Sequence, residues 1–429
     1  IQVMSKFKTT PAHNTISPLK SAILTLSIIG TAVAIFFIEG FSIIFLAAYL
    51  LIFICILLCN NKIPTSLSAF FRSLVGALFI FSGFVKGVDP RGFDYKIIDY
   101  LEAYNMMWLE PLSLILAMLA IAAELIIGCM MFFNVKQKLV IPLSTLMMAG
   151  FTILTLIDAT KNMVPDCGCF GEAVKMSNWQ TFYKNLTIDL CLLTVWFSYG
   201  RLRQLFRPAA EFILIVIFTT LTFVLQIYCL TYLPIIDFRD WKEGKKMTID
   251  NPLPIEYWVD YKHNTTGEIT SMKVEDIPYN DSVWLSQWSF VDQRIIDNNI
   301  YPHNVMLFDE NGGNVTADVI SNPESHLIIV SYLLDEMKMK NFEELQDIIS
   351  YCNEKDITVE FFTASDFDDI YQFADSTAID AYFYNADDIE LKAMIRSNPG
   401  VIAMKDGVVL KKWSHNNLPD RIKLEETFK

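Results

Sequence analysis

The sequence predicts a polytopic α-helical membrane protein with an acidic α/β domain after its last membrane helix. Three observations predict it. Seven apolar runs lie within the first 233 residues, each close to the roughly 17–25 residues that cross a hydrocarbon core. Charge is split between the halves: residues 1–210 hold 16 Lys and Arg against 11 Asp and Glu, so the total of −14 leaves −19 for residues 211–429. From residue 301 onward, short β-branched runs alternate with helical periodicity, the pattern of an α/β sheet.

The apolar runs fall at about 21–38, 41–59, 69–88, 111–133, 138–157, 185–200 and 211–233. Only Glu39 and Gly40 separate the first two. A tight hairpin is the preferred reading there, because one continuous helix would be about twice the needed length. The alternative, a single long tilted helix, would invert everything downstream relative to the N-terminus. Loop charges give a direction. One set of loops carries Lys6, Lys8, Lys20, Lys62, Arg72, Lys136, Lys138, Arg201, Arg203 and Arg207 with no acidic residue. The alternate loops carry Lys86, Arg91, Lys96, Lys161, Lys175 and Lys184 with nine acidic residues. The N-terminus is therefore expected in the cytoplasm, and an odd helix count puts residues 234–429 outside. No cleavable signal peptide is evident, so the first helix is expected to act as its own signal. Ile1-Gln2-Val3 before Met4 leaves the native start open. The lipid bilayer is the first partner implied, and location and acidity disfavour nucleic acid.

Of eight cysteines, Cys55, Cys59, Cys129, Cys191 and Cys229 lie in or at the ends of expected helices and Cys352 in a helical stretch, where free Cys packs as a small hydrophobe. Cys167 and Cys169 remain, in Asp166-Cys167-Gly168-Cys169-Phe170-Gly171, a loop expected outside. A disulfide is permissible there. Two cysteines one residue apart can close only a small, strained ring, and strained disulfides are the labile ones. Gly168 eases the backbone geometry. Three readings stay open: a redox-exchange pair, a loop-shaping pair without turnover, or a metal site, the last opposed by zinc's need for four ligands and the lack of a nearby histidine.

Glu124 lies midway along its helix, where a carboxylate needs a partner or a proton. Asp189 is near enough to the outer surface to reach water. Arg72 and Lys86 stand at opposite ends of one helix and are expected to snorkel. Gly76, Ser82, Gly83 and Gly128 read as close-packing positions between helices. Residues 87–110, with Phe93, Tyr95, Ile97, Ile98, Tyr100, Leu101, Tyr104, Met106 and Trp108, read as a helix on the outer surface near the cysteine loop.

The run Arg72 to Pro90, Arg-Ser-Leu-Val-Gly-Ala-Leu-Phe-Ile-Phe-Ser-Gly-Phe-Val-Lys-Gly-Val-Asp-Pro, resembles the first helix of the DoxX family of four-helix membrane proteins. Ala123-Glu124-Leu125-Ile126-Ile127-Gly128 is similar to that family's acidic helix. The Asp-Cys-Gly-Cys-Phe-Gly loop, followed by Trp179 and Asn185, resembles the MauE branch, linked with disulfide formation during methylamine dehydrogenase maturation. This resemblance spans about residues 68–200. It implies that Cys167 and Cys169 form a redox pair. No cofactor is evident; a quinone would suit a redox role of Glu124, but no residue selects one.

Residues 237 to about 301 read as a β-rich connector with a hairpin at Asn264-Thr265-Thr266-Gly267. Beyond it, strands are expected at Val305–Phe308, Leu327–Ser331, Val359–Phe362 and Tyr382–Tyr384, with helices near 339–354, 367–376 and 387–396. The stretch from Ser397 through Leu410 resembles the C-terminal half of a thioredoxin fold, with Pro399 as candidate cis-proline. Tyr332–Lys338, where thioredoxins carry Cys-x-x-Cys, has no cysteine. The resemblance therefore implies a binding module without thiol chemistry.

The expected organisation is a membrane hairpin at 1–66, a DoxX/MauE-like four-helix domain at 67–203, a seventh membrane helix at 204–236, a connector at 237–300 and a thioredoxin-like external domain at 301–429. Two functions follow. The first is thiol-disulfide redox or envelope protein maturation at a bacterial inner membrane, acting on a protein client. The second is a non-catalytic scaffold or assembly subunit of an envelope complex. A transporter, suggested by Glu124, lacks the broken helices and internal repeat that would support it.

Overall fold

The computed structural model describes residues 18–38, 40–59, 62–164, 168–202 and 204–429. Cys167, Asp166, Glu39, Lys6, Lys8 and Arg203, each named above, lie outside the described residues. The chain divides into two compact units, 1–239 and 240–429.

The first unit is helical: α1 (Pro18–Ala34), α2 (Ile43–Cys59), α3 (Thr65–Val88), α4 (Pro90–Ala103), α5 (Ser113–Phe132), α6 (Gln137–Lys161), α7 (Asn178–Trp196) and α8 (Pro208–Thr231). Among the described residues, four segments are long and apolar enough to cross a bilayer: Thr65–Val88, Met107–Phe132, Gln137–Lys161 and Pro208–Thr231. Ala22–Ala34 and Ile43–Cys59 are shorter apolar helices. Chain geometry breaks between α1 and α2, where Gly40 adopts φ +81°, so the single long helix does not form.

Helix α7 departs from the hydropathy reading. It starts at Asn178, well before the apolar run at 185, because Ser177 and Gln180 form a reciprocal capping box. Its polar residues Asn178, Thr181, Asn185 and Thr187 are buried inside the bundle, where neighbouring helices can satisfy them in place of water. Helix α4 forms within the expected 87–110 segment. Asp89 caps it by accepting from Gly92 N at 3.0 Å, and Pro90 occupies its first turn.

Glycines bring α3 and α5 together, as their small-residue pattern predicts. A Cβ on Gly76 would lie 2.6 Å from Phe132 N, and one on Gly128 2.7 Å from Ile80 N. Phe71, Val75, Phe79, Met131, Ile141, Leu190 and Val195 fill the core beside this contact.

The second unit holds two sheets. β1 (Glu256–His263), β2 (Ile269–Lys273) and β3 (Trp288–Ile296) are antiparallel in the order β2-β1-β3, with the short helix α9 (Ser282–Gln287) leading into β3. The expected hairpin turn closes β1 onto β2, Gly267 N donating to His263 O at 2.9 Å. After α10 (Thr316–Ile320) come β4 (His326–Ser331), α11 (Phe342–Glu354), β5 (Thr358–Thr363), α12 (Phe367–Thr377), β6 (Tyr382–Asn385), α13 (Asp388–Met394), β7 (Gly400–Lys405), β8 (Val408–Ser414) and α14 (Arg421–Phe428).

Sheet order is β6-β5-β4-β7-β8. β4, β5 and β6 run parallel, whereas β7 and β8 are antiparallel to their neighbours. This mixed sheet, with helices between its parallel strands and a closing hairpin, has the thioredoxin-like arrangement. Every residue of β4 is buried, as expected of a central strand covered on both faces. Leu345, Ile348, Ile349 and Cys352 of α11 pack against Leu327, Ile329 and Phe361.

Two details differ from the sequence reading. Val305–Phe308 is not a strand; Phe308 alone bridges Asn385 and Asn314, because Asp309 N turns back to Gly313 O at 3.0 Å. The start of the expected connector also belongs to the sheet domain. Gly244 N donates to Val409 O and Met247 N to Gly407 O, each at 2.7 Å, and Trp241 is buried.

Candidate functional site

The cysteine loop lies against one stripe of α3. Phe81, Ser82, Val85 and Lys86 follow i, i+4 spacing and so share a side of the helix. Ser82 Oγ donates to the carbonyl of Cys169 at 2.6 Å. Phe81 packs on Phe170 with ring centroids 5.6 Å apart. At Gly171, whose φ is +50°, a Cβ would come 3.1 Å from Val85 Cγ1. Gly168 is left-handed at φ +61° and lies against the Lys96 side chain of α4, its Cβ position 3.2 Å from Lys96 Cγ. Gly168 and Gly171 thus supply the backbone freedom that lets the loop turn flat onto the helices. The expected proximity of the 87–110 helix to this loop is realised through Lys96. Cys169 is half-buried.

One turn beyond Ser82, Lys86 pairs with Glu124 of α5. Both are buried, with 5% exposure each. Lys86 Nζ also lies 5.1 Å from the centre of the Phe93 ring. Glu124 therefore has the partner its position demands, and Lys86 does not snorkel outward. A charge turned into the bundle finds a carboxylate, whereas one turned outward along this stripe would have to pass the covering loop and α4. Arg72 likewise points inward: it is buried and donates to the carbonyls of Met131 and, at 2.9 Å, Phe132 at the end of α5. Those carbonyls, in the last turn of α5, carry the negative end of the helix dipole. Asp189 is half-buried and accepts from Thr152 Oγ1 at 2.8 Å.

Sequence reasoning missed a second polar cluster behind the loop. Asp158, fully buried, accepts from Tyr100 OH at 2.6 Å. Asn178 Nδ2 donates to Val164 O at 2.9 Å and to Asn162 Oδ1 at 3.3 Å, bracing the chain just before the cysteines. Asn185 Nδ2 donates to Thr155 Oγ1 at 3.2 Å. The available signal was the row of polar residues in the first two turns of α7. Among the described residues no group of three or more His, Cys, Asp or Glu could hold a metal ion.

In the second unit, the Asn398–Pro399 peptide bond is cis. Around it Ser331 Oγ donates to Asn398 Oδ1 at 2.7 Å, Lys338 N to Asn398 O at 3.1 Å, and Leu334 N to Ser365 Oγ at 3.0 Å. Tyr332–Lys338 offers hydrogen bonds and no thiol. Cys352 is fully buried, and burial pushes its thiol up to about 12, the condition of an inert structural cysteine.

Residues 64–198 match the family model described as methylamine utilisation protein MauE; the membrane half carries a MauE-family region. A relative, Protein TlpB from Flavobacterium psychrophilum, is 27% identical over 131 residues, which is 29% of this chain and 35% of that protein. The chain thus matches about a third of its length. A thioredoxin from Neisseria meningitidis, solved in solution, is 17% identical; the match covers 28% of this chain and 82% of that one at a TM-score of 0.24. That likeness is too low to bear on the fold, which rests on the sheet order above.

Proposed function

We propose that this chain takes part in thiol-disulfide redox or envelope protein maturation, with Cys167 and Cys169 as the exchanging pair. The observation that supports the reading is the docked end of the loop: Cys169 is held on α3 by Ser82, next to left-handed Gly168. In exchange with a client dithiol, a client thiolate attacks a loop disulfide sulfur, forming a mixed disulfide and releasing one loop thiolate. The second client thiolate then attacks the mixed disulfide and frees the other loop cysteine. Two electrons and two protons pass from client to loop. The proposed setting is the bacterial inner membrane, with seven spans, a cytoplasmic N-terminus and residues 240–429 in the periplasm.

The α/β unit is read as the client-recognition module. Its lack of a thiol near Pro399 and its inert Cys352 support that division of labour. They equally support the second reading, a scaffold or assembly subunit that recognises an envelope partner without turnover.

Alkylation with a membrane-impermeant thiol reagent, before and after reduction, tests the first reading. Cys167 and Cys169 are expected to label only after reduction. If they stay unreactive in both conditions, or if Cys167→Ser with Cys169→Ser leaves client disulfides unchanged, the redox reading is lost. A stoichiometric partner that co-purifies regardless of those cysteines establishes the second.

A further inference from the structure

β3 has β1 on one side and, among the described residues, no strand on the other. Its residues from Ser289 to Ile295 are all exposed. The hydrogen bonding of β1 fixes which backbone groups face that open edge. His263 N donates to Glu268 O at 2.8 Å, so the odd residues of β1 turn their backbone groups to β2 and the even ones to β3, because the direction alternates along an antiparallel strand. Trp258 and Asp260 lie opposite Arg294 and Asp292. Those two residues of β3 therefore bond β1, whereas Gln293 and Ile295 turn their N–H and C=O to the edge. Gln293 N accordingly donates to the carboxylate of its own neighbour, Asp292, at 2.8 Å. Charge along this strand is unbalanced. Asp292 and Asp260 are like charges directly opposite, which is unfavourable; Arg294 reaches Asp260 at 3.2 Å, and Asp292 has no cationic partner among the described residues. About Gln293 the sequence Val291-Asp292-Gln293-Arg294-Ile295 runs apolar, acidic, polar, basic, apolar.

We infer that β3 pairs with β3 of a second copy of this chain, antiparallel about a two-fold axis through Gln293, joining two three-stranded sheets into one of six. In that register Gln293 exchanges both backbone hydrogen bonds with its counterpart. Asp292 of each copy comes opposite Arg294 of the other, and Val291 opposite Ile295. Each Asp292 carboxylate thereby gains the cation that its own sheet does not give it. Residues that turn to the edge can pair only with one another, so the register can slip only in steps of two. A slip of that size sets Asp292 against Asp292 or Arg294 against Arg294, and charge thus selects the axis at Gln293. The same order argues for a second copy over an unrelated extended segment: an isologous contact must be complementary to itself, and this strand is. The bonds left open at an edge strand supply the attraction.

The test reads self-crosslinking of the full-length chain in membranes under mild oxidation, above the background of the native cysteines. Directly opposed residues of a hydrogen-bonded pair have Cα atoms about 5.5 Å apart, a spacing that a disulfide can bridge. Gln293→Cys is therefore expected to give a covalent dimer, and Ile269→Cys, on the other edge strand β2, several-fold less. Asp292→Arg added to Gln293→Cys sets like charges opposite one another between copies and should lower the crosslinked fraction by about tenfold. It relieves the opposition to Asp260, so β3 keeps its place beside β1. Adding Arg294→Asp as well reverses the charge order and should restore the dimer. If that combination fails to accumulate, Ile295→Pro with Gln293→Cys replaces it, removing an N–H that β1 does not use, and should abolish the crosslink. A Gln293→Cys yield no higher than that of Ile269→Cys, a yield unchanged by Asp292→Arg, failure of the accumulated charge swap to restore it or of Ile295→Pro to abolish it, or a crosslink to a different protein in place of the dimer overturns the inference.

Discussion

Among the described residues, both units bury an acid-base pair, Lys86 with Glu124 in the helical unit and His326 with Glu360 in the α/β unit. Their surroundings differ. Lys86 stands one turn from the residue that holds the cysteine loop, and its pair bridges two apolar helices. His326 and Glu360 lie on adjacent central strands, the Nδ1 to carboxylate distance being 2.8 Å, within a sheet closed on both faces. The cysteines follow the same division: Cys169 is half-buried at the loop, and Cys352 is sealed on the inner face of α11. The helical unit leaves a cysteine half-buried at a loop, whereas the α/β unit buries its cysteine in the core.

Breaking the membrane pair should have the largest effect. Lys86→Ala or Glu124→Ala alone strands a charge among apolar helices and should destabilise the bundle by about 3–5 kcal/mol, with Lys86→Met plus Glu124→Gln recovering much of it. Thermal unfolding in detergent checks this. Equal losses in single and double variants would show that the two residues do not act as a pair.

Thiol reactivity separates the two units next. After reduction, Cys169, half-buried at a loop, should alkylate much faster at neutral pH than Cys352, which is fully buried and whose thiol burial pushes up to about 12. Peptide-resolved labelling measures the ratio. A ratio near one would mean that the α/β unit opens readily, and the contrast would fail.

A smaller loss is expected at the sheet pair. Glu360→Gln removes the carboxylate but keeps an oxygen that can accept from His326, so the loss should be about 1 kcal/mol. Tryptophan fluorescence during denaturation follows it through Trp413, which packs in that core. A loss as large as that of Glu124→Ala would erase the distinction between the pairs.

The smallest effect is on pH dependence in the α/β unit. Burial holds His415 and His303 below the ordinary histidine value, with Lys338 and Lys340 adding to it at His415 and Lys245 at His303. A group whose folded value is depressed binds protons more readily when unfolded. The stability of this unit is therefore complete above about pH 6.5 and declines as pH falls through that value toward the lower folded one. Solvent screening at half-buried His415 keeps the effect small. Unfolding of the α/β unit, followed at Trp413 from pH 7 down to 5, reads the sign; stability that rises on acidification would refute it.

Much of the fold was legible because its signals are local. Apolar length marked the membrane helices, strands alternating with helices marked β4, β5 and β6, and the resemblance of the Ser397–Leu410 stretch marked the closing hairpin. Helix α7 was only half legible. Its first two turns are polar, and hydropathy discards a polar segment even where the bundle buries it. The site divides in the same way. The Cys-Gly-Cys motif and the need of Glu124 for a partner could be read from residue type and position. Lys86 as that partner could not, since two residues 38 apart in sequence announce no contact.

Sequence by itself determined that the chain has a membrane half and an acidic α/β half, because partitioning of apolar length and charge depends on composition alone. Tertiary structure decided which way the long cationic side chains turn. Arg72 and Lys86 could as well have run out to the lipid interface. Helix crossing at Gly76, Gly83 and Gly128 instead brings a carboxylate and the last-turn carbonyls of α5 within their reach. A buried charge is tolerated only where such partners converge, and convergence is a property of packing that no single segment contains.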